Sequence, residues 1–180
     1  MAILTAAVVV VGVLCLLDLL LTLGVVRRLR EHTALLAAGA GAGGQSVSIT
    51  DLNVGETPAG FEVATVGGPR VSGPAGLRVV AFFSPHCSVC PERVPSFTEY
   101  VTSNAIARES VLAVIEGSEG EAPYEGTLAD VAQVCTGADG DLVSVAFKAQ
   151  GYPAFCLLDA DGALLASGIH PSTLTEPAGV

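Results

Sequence analysis

The sequence predicts an α/β domain carried behind a single apolar N-terminal segment. Three observations predict it. Residues 2–26 are almost wholly Ala, Val, Leu, Ile and Gly, and the basic run Arg27-Arg28-Leu29-Arg30 follows at once. Two continuous apolar runs, Val79–Phe83 and Val111–Ile115, have the length and composition of strands buried on both faces. Between them Val94, Phe97 and Val101 recur at helical spacing, so strand, helix and strand form a βαβ unit whose strands run parallel.

Taken in order, the chain opens with a predicted transmembrane helix. A helix over residues 2–26, at about 1.5 Å per residue, outreaches a hydrocarbon layer of roughly 30 Å. A cleaved signal peptide would have a basic start, a shorter apolar core and a nearby small-residue cut site. No Lys or Arg precedes the block, and the charged patch Arg27–Glu31 separates it from Ala38-Gly39-Ala40. Residues 1–30 therefore read as a retained anchor with a basic flank. Asp18 lies inside it, where an ionisable group is costly. It reads either as a contact to a membrane partner or as a protonated or snorkelling side chain in a tolerant helix.

Residues 31–60 read as a flexible linker. Its AAGAGAGG run at 37–44 has no side chains able to build a core, and Gly55 and Pro58 break the polar stretch at 45–60. The globular domain is expected over residues 61–170, with a tail at 171–180. Phe61–Val66 alternates as a strand does, and Gly67-Gly68-Pro69 turns it. Leu77–Phe83 is a buried strand. Leu128, Val131, Ala132 and Cys135 fall on one face of a predicted helix. Ala154–Leu158 is another apolar strand, and Asp161-Gly162 turns it toward a hairpin partner at 163–167. The order is β, β-α-β, α, β-β.

Composition narrows the function classes. The formal net charge is −10, and all but two of the 18 acidic residues lie from Asp51 onward. Such a domain repels nucleic acid and anionic lipid. The five cysteines, Cys15, Cys87, Cys90, Cys135 and Cys156, are odd in number and scattered. They fit one reactive pair with separate buried thiols better than a disulfide framework.

The pair is Cys87 and Cys90, in Ser84-Pro85-His86-Cys87-Ser88-Val89-Cys90. A lone C-x-x-C is ambiguous between half a zinc site, a redox pair and chance. Zinc takes four ligands, and no second Cys or His pair stands at similar spacing, so no metal is expected. The context decides for redox chemistry: a buried strand delivers the first cysteine to a helix start, where unpaired N–H groups and partial positive charge favour thiolate over thiol. Cys87 is then the nucleophile, and Cys90 the resolving thiol one turn inside the helix. Cys135 and Cys156 read as small buried hydrophobes.

With these residues in place, the chain resembles the thioredoxin-like superfamily over about Phe61 to Ile169. It resembles most the membrane-anchored TlpA-type disulfide reductases, with the methylamine-utilisation thioredoxin-like proteins near the same branch. Three stretches carry the resemblance: Val79 to Cys90 as strand and active site, Pro95 in the helix after the pair, and Gly151-Tyr152-Pro153-Ala154-Phe155, similar to the family's Gly-x-Pro-x-x-Phe run. The resemblance implies a central mixed sheet flanked by helices and a cis bond at Tyr152–Pro153. It further implies that Tyr152 and Pro153 shape a substrate groove beside the cysteines. It implies exchange of disulfides with a protein partner, an electron donor or acceptor, and no organic cofactor. The departures are His86 where the family has an aromatic residue, Ser88-Val89 between the cysteines, Pro91 directly after them, and Ala81 where thioredoxins proper have a buried Asp. Protonated His86 could stabilise a Cys87 thiolate, or it is a solvated surface histidine. These changes leave the direction of electron flow open.

Three other functions compete. A copper-carrying assembly factor would use Cys87, Cys90 and His170 as soft ligands, although that family spaces its cysteines by three residues rather than two. A peroxiredoxin-like peroxidase would use Val89-Cys90-Pro91-Glu92, but Cys87 and Phe83 stand where that family has its oxygen-activating Thr or Ser and its Pro. A redox-dead tethered interaction module would not need both cysteines. The expected location is the cell membrane, single-pass. The Arg27, Arg28 and Arg30 flank argues for a cytoplasmic domain by the positive-inside rule, while the family resemblance favours the outer side.

Overall fold

The structure is a computed structural model that describes Gly12, residues 49–117 and residues 124–175. Apart from Gly12, the expected membrane segment, its arginine flank and the Gly/Ala run lie outside the described residues. Among the described residues no helix is long and apolar enough to cross a membrane.

Among the described residues of the domain there are seven strands and three α-helices. In chain order they are β1 (Phe61–Val63), β2 (Val71–Gly73), β3 (Val79–Phe83), α1 (Cys90–Ser103), β4 (Val111–Ile115), α2 (Glu125–Ala129), β5 (Gln133–Thr136), α3 (Gly137–Ala146), β6 (Ala154–Leu158) and β7 (Leu164–Gly168). The main sheet runs β5-β4-β3-β6-β7, and β1 and β2 form a separate antiparallel ribbon. β3 pairs parallel with β4, and β4 with β5, whereas β6 runs antiparallel to β3 and β7 antiparallel to β6. This is the mixed, helix-flanked sheet the resemblance implied.

Side-chain alternation along β3 and β4 divides the core in two, because successive residues point to opposite faces of a strand. Val79, Ala81 and Phe83, with Val111, Ala113 and Ile115, face α1 and α2 and pack on Val94, Phe97, Val101, Tyr124 and Leu128. Val80 and Phe82, with Leu112 and Val114, face α3 and the β1–β2 ribbon. Both strands are buried on every residue, which is why their sequences run apolar without a break. The first face meets the cysteine pair, since Cys90 belongs to that cluster.

Several expectations change. The helix expected through Cys135 ends at Ala129, and Cys135 lies in β5, paired with Val114. Long-range pairing onto the open edge of β4 outweighs the local 3.6-residue spacing there. α3 went unforeseen because Gly137 and Gly140 are poor helix formers. β2 also went unforeseen.

The linker expected to residue 60 is in part domain. Leu52 is buried, and Thr50 bridges to Ala149. At the other end, the first residues of the expected tail pack down: Pro171 and Leu174 are buried, and the Leu174 carbonyl accepts the Tyr100 hydroxyl at 3.0 Å.

Candidate active site

β3 ends at Phe83, and a turn follows at the sheet's carboxyl edge. Pro85 removes a donor that would extend the strand. Ser84, largely buried, organises the turn: its carbonyl accepts the Cys87 N–H at 3.1 Å, and its Oγ accepts the His86 N–H at 3.3 Å. α1 begins only at Cys90, so Cys87 sits in the turn before the helix. Pro91 stands in the first turn, where its missing N–H leaves no bond unmade. Pro95 lies inside the helix on its exposed side.

The two cysteines meet different surroundings. Cys87 is half-buried; Cys90 is fully buried. The Cys90 N–H points at the Cys87 sulfur, 3.2 Å away, as well as at the Cys87 carbonyl at 3.2 Å. A helix-start N–H aimed at a sulfur is the contact that suits a nucleophilic thiolate. Burial, then the hydrogen bond with Cys87, pushes the Cys90 thiol up to about 12. The two thiols are free in this structure.

The loop before β6 closes the site from the other side. Tyr152–Pro153 is cis, as the resemblance implied. The Tyr152 carbonyl accepts from the Cys87 Sγ at 3.4 Å, across 65 residues of chain. The Tyr152 hydroxyl reaches Ser144 of α3 at 3.5 Å, which fixes the ring against that helix. Pro153 is buried behind it. Ser84, His86, Cys87, Ser88, Val89 and Tyr152 line one shallow groove. Within it His86 and Val89 are exposed, so the groove offers one polar ring and one apolar side chain beside the half-open thiol.

The structure thus brings together His86, Cys87, Cys90, Tyr152 and Pro153. It does not bring in His170, which lies beyond β7. Among the described residues no group of three or more His, Cys, Asp and Glu is placed to hold a metal ion, so the copper ligand set is not assembled. Cys135 and Cys156 lie on the far face of the sheet, buried, with burial pushing both thiols up to about 12. Ala81 is fully buried beneath the pair and brings no carboxyl group there.

Two residues near the site carried no sequence signal. Ser144 lies in the unforeseen α3. Tyr124 sits at the start of α2, after a Gly- and Glu-rich stretch without periodicity, and only the fold carries its ring to Phe83, with centroids 5.8 Å apart.

No protein-family model and no curated protein sequence matches the chain. Solved structures do. The thioredoxin domain of a thiol-disulfide oxidoreductase from Bacteroides vulgatus is similar with a TM-score of 0.56 at 18% identity, over 69% of this chain and 94% of that one. The fold is thioredoxin-like. A thiol:disulfide interchange protein from Bacteroides sp. gives a TM-score of 0.52 at 16% identity, over 68% of this chain and 86% of that one. In this thioredoxin-like domain Cys87 stands between β3 and α1, Cys90 opens α1, and the cis-proline loop precedes β6.

Proposed function

We propose that the chain is a thiol–disulfide oxidoreductase, with Cys87 as nucleophile, Cys90 as resolving thiol, and Tyr152–Pro153 shaping the groove that receives a protein substrate. One observation carries the reading: a half-exposed sulfur that accepts a helix-start N–H at 3.2 Å, with a second, fully buried sulfur directly behind it. The names of the two structural neighbours point to the same chemistry.

In the reducing direction the Cys87 thiolate attacks one sulfur of a substrate disulfide. The Cys87–substrate S–S bond forms and the other substrate sulfur leaves as a thiolate, which takes up a proton. Cys90 then loses its proton and attacks the Cys87 sulfur. The Cys87–Cys90 disulfide forms, and the second substrate sulfur leaves with the electron pair. A donor dithiol resets the pair. The same steps reversed oxidise a substrate dithiol. The order is set by access, because only Cys87 reaches solvent. His86 modulates the pair from the groove wall.

The test is turnover of insulin or glutathione disulfide. Wild-type protein is expected to turn over, and Cys87→Ser to lose the activity by two orders of magnitude or more. Undiminished turnover in Cys87→Ser overturns the assignment. The peroxidase reading would make Cys90 the attacking group, and its full burial opposes that.

Residues 2–26 anchor the domain to the cell membrane in this reading, on the outer side. A membrane-impermeant thiol reagent applied to intact cells is expected to label Cys87. Protection of a folded, reactive Cys87 would place the domain inside, as the arginine flank suggests.

A further inference from the structure

Among the described residues, nothing satisfies the hydroxyl of Tyr124. The residue is 6% exposed, and its Oη has no hydrogen-bond partner among the described residues. A buried hydroxyl without a partner costs about 1–3 kcal/mol, and such groups in a native fold call for a reason. A Phe here would pack on Phe83 equally well and carry no such cost. The ring sits in the cluster that holds Cys90, and half-buried Cys87 packs against the same cluster. Ala81 belongs to that cluster too, so no carboxylate rises from β3 to serve the cysteine pair. Burial raises the Tyr124 hydroxyl to about 12, and the groups whose charge acts on it are Cys90 and then Cys87. It therefore stays protonated at neutral pH and is a donor, not a base.

We propose that Tyr124 is a positioning residue for the resolving step, its hydroxyl donating to the Cys90 sulfur as that sulfur becomes an anion. The inference rests on the thiol–disulfide reading and adds a residue to it. Burial makes the Cys90 thiol hard to ionise, holding it well above its usual range. To resolve the mixed disulfide it must shed its proton to solvent or to the departing sulfur. It then forms the S–S bond to Cys87 while the substrate sulfur takes the electron pair. A hydrogen bond present only when Cys90 is charged lowers that barrier and leaves the ground state alone. Tyr124 keeps its own proton throughout, so the atoms and electrons of the exchange are unchanged.

The test separates attack from resolution. Full-length protein in detergent, fully reduced, is mixed with a substoichiometric aromatic disulfide that releases a coloured thiolate at each step. The first release reports Cys87 attack and the second reports Cys90 resolution. In Tyr124→Phe the second release is expected to slow about tenfold or more, the weight of a hydrogen bond to a charged atom, relative to the first. Its dependence on pH is expected to move to higher pH, while the thermal midpoint is equal or higher. A ratio of the two phases and a pH profile both unchanged from wild type overturn the inference. So does an equal slowing of both phases, which marks a packing role. If wild-type protein itself gives no first release, the thiol–disulfide reading fails, and that outcome is distinct from a failure confined to Tyr124.

Discussion

Cys87 and Cys90 are three residues apart and meet different media. The turn at Ser84–Cys87 lifts the first sulfur into the groove, while the first turn of α1 carries the second into the core beside Val94 and Phe97. Burial favours the neutral thiol, so Cys90 resists ionisation where Cys87 is open to reagents. Alkylation of the reduced protein at pH 8 is therefore expected to modify Cys87 and spare Cys90, as read by peptide mass mapping. Equal modification of the two in folded protein would mean that the burial difference does not govern reactivity. Much at this scale was legible in the sequence. Cys87, Cys90 and Pro91 announce themselves by spacing, since a C-x-x-C at a strand-to-helix junction leaves little freedom for where its sulfurs go. Tyr152 and Pro153 were legible through the resemblance alone. Tyr124 and Ser144 were not legible, because only the tertiary fold brings them near the pair or the groove, and no local spacing encodes that.

Elements were harder to read where a strand meets an edge or a helix meets a backbone. The Leu128–Cys135 spacing suits a helix, but the parallel edge of β4 takes Gln133–Thr136 as a strand, and the local pattern loses to the ladder. The same region hides α3, whose glycines look like loop. Gly140 has a packing reason: a Cβ there would stand 2.9 Å from the Ile115 carbonyl oxygen and 3.5 Å from its carbon, so α3 crosses the end of β4 with room for hydrogen only. Gly126 in α2 has nothing within 4 Å of the same added atom. Substituting alanine should therefore give opposite signs. Gly140→Ala is expected to destabilise by about 1–3 kcal/mol, because backbone must shift, even though alanine is the better helix former. Gly126→Ala is expected to be neutral or to gain up to about 1 kcal/mol. Denaturant unfolding of both variants checks this, and a stabilising Gly140→Ala would show that α3 is free to move off β4.

The whole molecule holds its buried thiols in an apolar interior, and this sets its behaviour in base. Cys90, Cys135 and Cys156 are each raised from 9.0 to about 12, chiefly by burial. A group whose folded pKa exceeds its unfolded one keeps its native proton while the unfolded chain loses it. The stability it contributes is then intact below about pH 9 and falls as pH climbs toward 12. For Cys156, buried on every side within β6, the loss is on the order of 1.4 kcal/mol per pH unit across that window. Buried Tyr124 and half-buried Tyr152 are raised from 10.0 to about 12, chiefly by desolvation, and add to the fall only above pH 10. The interval between pH 9 and pH 10 is consequently governed by the thiols. Denaturant unfolding under reducing conditions at pH 8, 9 and 10 should show a shallow decline from pH 8 to 9 and a steeper one from pH 9 to 10. Cys156→Ala separates ionisation from packing. The variant starts lower at pH 8, because the lost sulfur leaves a small cavity between the sheet and α3. Its decline above pH 9 should be shallower than wild type, since one ionising group is gone. Parallel declines in the two proteins would mean that Cys156 contributes nothing to the alkaline transition, and that the interior takes up its thiolate without cost.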